Sequence, residues 1–457
     1  MESAAVQQQP SPTTLPSLSE VATSKLVCYF TNWSQYRDGP ARFLPDNVDP
    51  TLCTHLIFAF AIISYGNELI ASDWNDDALY RSFNALKTRN TKLKTLLSVK
   101  GQDRDSADKF SQMMSSSDTR QQFIQSAITL LRHYGFDGLD LAWQGPATQG
   151  SPPEDKRRFT LLCKELEDAF EDESRAGGLQ KLMLTAAVSA NRNTVYISYD
   201  VPQITQYLDF LSIMTFGFHG SEERLTNHHS PLYSGEHQTG ESRYYNVNSA
   251  MLYWQERGAP PEKLLLGFPT FGHSFLLTSA DRGLGAPTSG FAAAGPYTQQ
   301  MGVWSHYEIC YFLQGASVEW IDQQKVPFAV KGHGWVGFDN QTSYHHKVQY
   351  LLANKLGGAV VWSLDLDDFS GEFCSQGRSP LIRYLKSQLE NGKTHQRAVT
   401  NHNNQRACSD HADCYKSDQH CIYLQQDLQH HHHQQQLQHH PPRGDLHNTH
   451  ANTSSPM

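Results

Sequence analysis

Eight short apolar runs, separated by stretches long enough to hold a helix, constrain this chain more than any other feature. They are Leu26–Phe30, His55–Ile62, Lys94–Val99, Gly138–Trp143, Met183–Ser189, Phe210–Thr215, Leu265–Pro269 and Ala359–Leu364. Each is rich in Val, Ile, Leu or aromatic residues, the composition of parallel strands covered on both faces. Amphipathic helical patterns such as Thr119–His133 and Lys156–Asp172 lie between them. Alternation of strand and helix predicts an α/β fold with a parallel sheet, and eight such units predict a closed (β/α)8 TIM barrel. With 39% hydrophobic residues, among them 8 Trp, 20 Tyr and 22 Phe, the chain can fill so large a core. One connection exceeds the scheme: about 90 residues, from Phe271 to Gly358, separate the seventh and eighth runs. Strand-like pieces at Val326–Val330 and Gly334–Phe338 and the segment Tyr307–Phe312 predict a small α+β insertion at 272–338, between strand 7 and helix 7.

The chain carries a net charge of −9 and a pI near 6.2, which excludes the basic face that nucleic-acid binding needs. No apolar run approaches the roughly 18 residues of a membrane span, so no membrane insertion is expected. The 8 cysteines show no zinc-type spacing, and paired disulfides imply an oxidising, extracellular compartment. Cys163 falls in a helical pattern and reads as a buried free thiol. Residues 1–24 lack the basic start and apolar stretch of a secretory leader, and read as a disordered N-terminal segment. These two signals oppose each other; the cysteines weigh more, and a secreted protein is expected. From 391 to 457 the chain becomes a His- and Gln-rich, low-complexity tail expected to be disordered.

Chemistry in a barrel of this kind sits at the C-terminal ends of the strands. The fourth run closes with Phe136-Asp137-Gly138-Leu139-Asp140-Leu141-Ala142-Trp143-Gln144. This resembles the signature D-G-x-D-x-D-W-E of glycoside hydrolase family 18. The resemblance extends to Cys28-Tyr29-Phe30-Thr31-Asn32-Trp33-Ser34-Gln35-Tyr36, to Leu93–Val99, to Leu264–Phe271 and to Val361-Trp362-Ser363-Leu364-Asp365-Leu366-Asp367-Asp368-Phe369. It covers residues 25–390 and is strongest toward vertebrate chitinases and chitinase-like lectins. The family's chemistry needs a carboxylic acid at the last signature position to protonate the glycosidic oxygen. A carboxylate two residues earlier orients the substrate's acetamido group, which serves as the nucleophile. Here those positions hold Gln144 and Ala142. A carboxamide has no proton to give near neutral pH, and losing general-acid catalysis alone costs about 10²–10⁴ in rate. Strand alternation places 140, 142 and 144 on one inward face. Asp137 and Asp140 are read as structural inward carboxylates of the degenerate motif. On the sixth strand, Met214-Thr215-Phe216-Gly217-Phe218-His219-Gly220 resembles the family's M-T-Y-D-F-H-G, with the Tyr and Asp replaced by Phe216 and Gly217.

The resemblance implies sugar binding through rings that stack on CH faces. Trp362 is expected as the floor of the cleft, with Trp33 and Phe60 along it, and Trp74, Trp143, Phe216 and Met214 as further members. Other positions depart from the family: Lys100, Gln102, Gly145, Ser72, Glu222 and His273 stand where relatives carry Gly, Trp, Tyr, Trp, Trp and Arg. The disulfides Cys28–Cys53 and Cys310–Cys374 are likewise implied. Of the sequons, Asn340 reads as the glycan site and Asn32, in the cleft region, as unused. Neither metal nor cofactor is implied, the adjacent His228 and His229 included, and a monomer is expected. The leading reading is a catalytically inactive chitinase-like protein that binds chitin or N-acetylglucosamine oligosaccharides weakly. A scaffold for a protein receptor without sugar affinity is the alternative, and an active chitinase the third.

Overall fold

A computed structural model describes residues 24–392 apart from 149, 221 and 222. The segments 1–23 and 393–457 and Glu222 therefore lie outside the described residues. Eight parallel strands close on themselves: β1 (Lys25–Thr31), β2 (His55–Ile63), β3 (Lys94–Lys100), β4 (Gly138–Ala142), β5 (Met183–Ser189), β6 (Phe210–Met214), β7 (Leu264–Pro269) and β8 (Gly358–Trp362). Closure is made by β1, where Cys28 pairs in parallel with both Leu56 of β2 and Val361 of β8. The fourth strand ends one residue before the expected Trp143, and the sixth one before Thr215.

Alternation divides each strand between two layers. Val27, Tyr29, Leu96, Ala142, Phe210, Met214, Leu265 and Val360 point into the barrel. Leu26, Cys28, Phe30, Leu139, Leu141 and Trp143 point outward against the helices. The helices are placed by their caps. Ser116 accepts the Thr119 N–H at the start of helix Ser117–Tyr134, and Gly135 ends it in the left-handed region at φ 76°, which favours glycine. That helix buries Phe123, Ile124, Ala127 and Leu131.

Between β7 and the helix Gln341–Ala353 lies an antiparallel sheet whose strands are Phe271–Leu277, Thr288–Phe291, Val303–Ser305, Ser317–Ile321, Val326–Lys331 and Gly334–Gly337. The segment around Tyr307–Phe312 forms a helix, His306–Leu313, capped by Ser305. Two devices tie this sheet to the barrel. One is the Cys310–Cys374 disulfide; the other disulfide, Cys28–Cys53, staples β1 to the turn before β2. The second device is a fully buried ion pair, Lys347 to Asp339 at 2.8 Å, whose ammonium also donates to Ser230 Oγ at 2.9 Å. Burial lowers the Lys347 pKa, and Asp339 opposes the shift. Cys163 is a buried free thiol on helix Asp155–Gly177.

Removing one partner of such a pair leaves a buried charge without compensation. Lys347→Met is expected to cost about 3–5 kcal/mol of stability, read from urea unfolding. A loss under about 1 kcal/mol would show that the pair does not clamp the inserted sheet.

Candidate functional site

At the C-terminal mouth of the barrel opens a cleft of about 470 Å³, within the range of small-ligand sites. Its aromatic side is a staircase of three rings from three strand ends. Trp362, closing β8, stacks on Phe60 at 5.9 Å and 27°, and Phe60 stacks on Trp33 at 5.8 Å and 22°. Tyr29 supports Trp362 from below at 5.0 Å. Trp33 is 42% exposed, so its face is open to a ligand. The Ala59–Phe60 and Trp362–Ser363 peptides are both cis.

The remaining expected residues distribute unevenly. Met214 and Phe216 belong to the inner layer, and Phe216 meets Phe271 of the cleft wall edge-on at 5.6 Å. Trp74 is 84% exposed and donates its indole N–H to Tyr36 Oη at 3.0 Å, on the rim outside the cleft lining. Trp143 is not part of the cleft floor. It is 2% exposed, in the outer layer, with its ring 5.0 Å from that of Phe110, because an odd position on β4 points at the helices.

The inward line of β4 runs Asp140 to Ala142, and Gln144 follows in the loop two residues beyond the strand's end. Asp140 is fully buried and accepts hydrogen bonds from Tyr29 Oη at 2.8 Å, Ser98 Oγ at 2.7 Å and Thr185 Oγ1 at 2.7 Å. Burial raises its pKa, against those three hydrogen bonds. Ala142 is buried above it and offers no polar atom. Gln144 opens on a smaller side hollow of about 240 Å³ that it shares with Gln102, Gly145, Thr148, Ser189 and Thr194. Gln102 lines both this hollow and the main cleft. Asp137 is a correction to the sequence reading. It precedes β4 at the opposite end of the barrel, where its carboxylate accepts from Thr95 N at 2.8 Å and pairs with Lys87 at 3.0 Å. It is structural, and it is not inward.

Polar groups on the other wall were less visible in the sequence. Among the described residues lining the cleft, Asp365 is the only carboxylate. It is paired with Arg37 at 2.7 Å across 328 positions of sequence, and neither was singled out beforehand. Lys100 turns to Asp103 at 2.5 Å. Ser72, on the rim, accepts from Asn32 Nδ2 at 3.0 Å and donates to Phe60 O at 2.6 Å. Asn32 is 4% exposed with its amide engaged, which agrees with an unused sequon. Asn340 caps helix Gln341–Ala353, its Oδ1 accepting the Ser343 N–H at 2.9 Å. His273 stacks on His229 at 4.6 Å and contacts His219 O at 3.0 Å through Nδ1.

The comparisons with known proteins bear on this geometry. The profile of the glycosyl hydrolases family 18 matches residues 25–367. The chain belongs to glycoside hydrolase family 18. Chitotriosidase-1 of Mus musculus is 47% identical over 369 residues, spanning 80% of this chain and 78% of that one. Chitinase-3-like protein 2 of Homo sapiens is 47% identical over 367 residues, spanning 80% and 92%. Among solved structures, human YKL-39, described as a pseudo-chitinase with retained chitooligosaccharide binding properties, aligns with a TM-score of 0.76 at 45% identity. That alignment covers 80% of this chain and 100% of YKL-39. The family 18 barrel is thus shown.

Burial lowers the His273 pKa to about 4, with its peptide contact opposing. Its folded value lies below the ordinary 6.5, so the stability it contributes is present above pH 6.5 and is lost as pH falls toward 4. Replacing it by Gln is expected to flatten the dependence of unfolding free energy on pH by about 1.4 kcal/mol per pH unit in that window. Denaturation at pH 6.5, 5.5 and 4.5 reads it; parallel curves for variant and parent would contradict the assignment.

Proposed function

We propose that this family 18 protein is a catalytically inactive chitinase-like lectin that binds N-acetylglucosamine oligosaccharides, or chitin, weakly in the cleft. The observation that carries the reading is the inward line of β4. Above Asp140 it presents a methyl group, the loop just beyond carries the Gln144 carboxamide, and the one carboxylate among the described residues lining the cleft is held by Arg37. Among the described residues lining that cleft there is no unpaired carboxylic acid, and an alanine stands where the family's acetamido-orienting carboxylate does. Phe216 lacks the hydroxyl of the family's tyrosine, and Gly217 has no side chain. The aromatic staircase is what survives, and it supports binding without turnover. The pseudo-chitinase relative, described as retaining chitooligosaccharide binding, supports the same combination.

Weak binding follows from what the rim lacks. Gln102 gives no stacking face, and a lost base-stacking platform, taken as an analogue, costs about 1–3 kcal/mol. The same erosion favours the second reading, a scaffold for a protein receptor, in which the cleft has no sugar affinity. The two disulfides support an oxidising, extracellular setting. An N-glycan on Asn340 would attach through Nδ2 and leave Oδ1 free to cap the helix.

Two predictions separate these readings. Titration calorimetry with chitotetraose should show binding that Trp362→Ala weakens by at least about tenfold, the equivalent of 1.4 kcal/mol; no heat from the parent protein would favour the receptor scaffold. Restoring Ala142→Asp and Gln144→Glu together should recover little hydrolysis unless Phe216→Tyr and Gly217→Asp are added. Gly217 sits at φ 70°, so an aspartate there also carries backbone strain of about 1 kcal/mol. A brisk chitinase from the first two reversions alone would contradict the role given to the sixth strand.

A further inference from the structure

Where the inserted sheet meets the barrel, one set of three metal-ligating side chains converges among the described residues. The ligand atoms of His306, Cys310 and Cys374 all lie within 4.8 Å of one another. His306 and Cys310 are one turn apart on helix His306–Leu313, so they share a face of it. Nε2 of His306 is 3.7 Å from Sγ of Cys310. Two ligands at neighbouring corners of a zinc tetrahedron, with Zn–N about 2.1 Å and Zn–S about 2.3 Å, stand about 3.6 Å apart. That edge is already in place. The set has no signature along the chain, because Cys374 comes 64 positions after Cys310.

The two sulfurs form the disulfide that ties the sheet to the barrel, yet each is also held by something else. Cys310 rides on a helix whose start is capped by Ser305 and Glu308. Cys374 ends a loop gathered by Asp368. That buried carboxylate accepts the backbone N–H groups of Gly371 at 2.9 Å, Phe373 at 3.1 Å and Cys374 at 2.8 Å. Phe373 in turn stacks on Tyr307 of the helix at 4.9 Å and 28°. Opening the disulfide therefore leaves two thiols side by side with an imidazole against them. Access favours that opening here. Cys28 and Cys53 are 0% and 4% exposed, whereas Cys310 and Cys374 are half-buried and within reach of a small thiol. His306 lies buried behind the sulfurs, which leaves the outer corner of a tetrahedron to water.

We propose that this is a redox-gated zinc site, in which reduction exchanges the Cys310–Cys374 cross-link for a Zn²⁺ ion held by His306, Cys310 and Cys374. Two molecules of a small thiol reduce the disulfide and leave joined as their own disulfide, and each protein sulfur gains a proton. Binding of Zn²⁺ releases those two protons, and the two thiolates, the imidazole and one water make four ligands. One nitrogen and two thiolates suit zinc and not the oxygen-seeking magnesium or calcium. The ion joins the same two segments as the disulfide. The inserted sheet, which gives Phe271, His273 and Val303 to the cleft, thus keeps its tie to the barrel when the covalent bond opens. The proposal is independent of sugar binding in the cleft.

The test treats the full chain with reduced glutathione, removes the thiol without oxygen, and adds iodoacetamide with Zn²⁺, with Mg²⁺ or with no metal. Peptide mass spectrometry then reads alkylation cysteine by cysteine, which separates this site from the cysteines and histidines of segment 393–457. Without metal, alkylation should reach Cys310 and Cys374 and spare Cys28 and Cys53. Zn²⁺ should slow alkylation of Cys310 and Cys374 at least about tenfold, and Mg²⁺ should not. In His306→Gln the zinc concentration for half-protection should rise at least about tenfold, since loss even of a ligand's hydrogen-bond partner costs that much. Should His306→Gln not fold, Cys374→Ser carries the test: zinc should then leave Cys310 unprotected. A disulfide that resists glutathione until the protein unfolds overturns the proposal. So does alkylation at one rate with and without Zn²⁺, or equal protection in parent and variant.

Discussion

A strand that closes a barrel has one set of side chains turned inward and one turned outward, and the repeat of two leaves no third choice. In β4 the inward set ends with Asp140 and Ala142, and Gln144 follows just beyond the strand. Everything the cleft can and cannot do depends on that line. Asp140 is fixed deep in the barrel by three hydroxyl donors, so it serves the interior. A proton relay to the cleft would have to pass position 142, where a methyl group offers nothing to carry it. The same repeat turns Trp143 away from the main cleft, against Phe110, where it lines the side hollow beside Gln144.

The aromatic staircase is the complement of this loss. Trp362, Phe60 and Trp33 arrive from β8, β2 and the turn after β1, strands that are neighbours only because the barrel closes through β1. Stacking needs faces at the right tilt and no ionisable group, so it does not depend on catalytic carboxylates. The electrostatics of the opposite wall agree. His273 is neutral at physiological pH because burial lowers its pKa, and Asp365 and Arg37 cancel each other.

Much of this was legible in the sequence, for identifiable reasons. The eight strands announced themselves because parallel strands buried on both faces are apolar throughout, and only their ends moved, by one or two residues. That Gln144 stands where the family signature carries its acid could be read from the sequence because a local motif fixes that place. Asp137 was misplaced, although it lies three residues from Asp140, because the chain is still entering the barrel there and its carboxylate stays at the far end with Lys87. Trp143 could have been placed by parity alone. The Arg37–Asp365 pair had no local signature: a contact across 328 positions exists only once the barrel is closed.

The central claim is that the mouth of the barrel holds no proton donor for a glycosidic oxygen. It is tested most directly by incubating chitotetraose with a molar excess of the protein for a day and weighing the products by mass spectrometry. The account predicts tetrasaccharide of unchanged mass. Accumulation of chitobiose at the pace of mouse chitotriosidase-1 under the same conditions would contradict it.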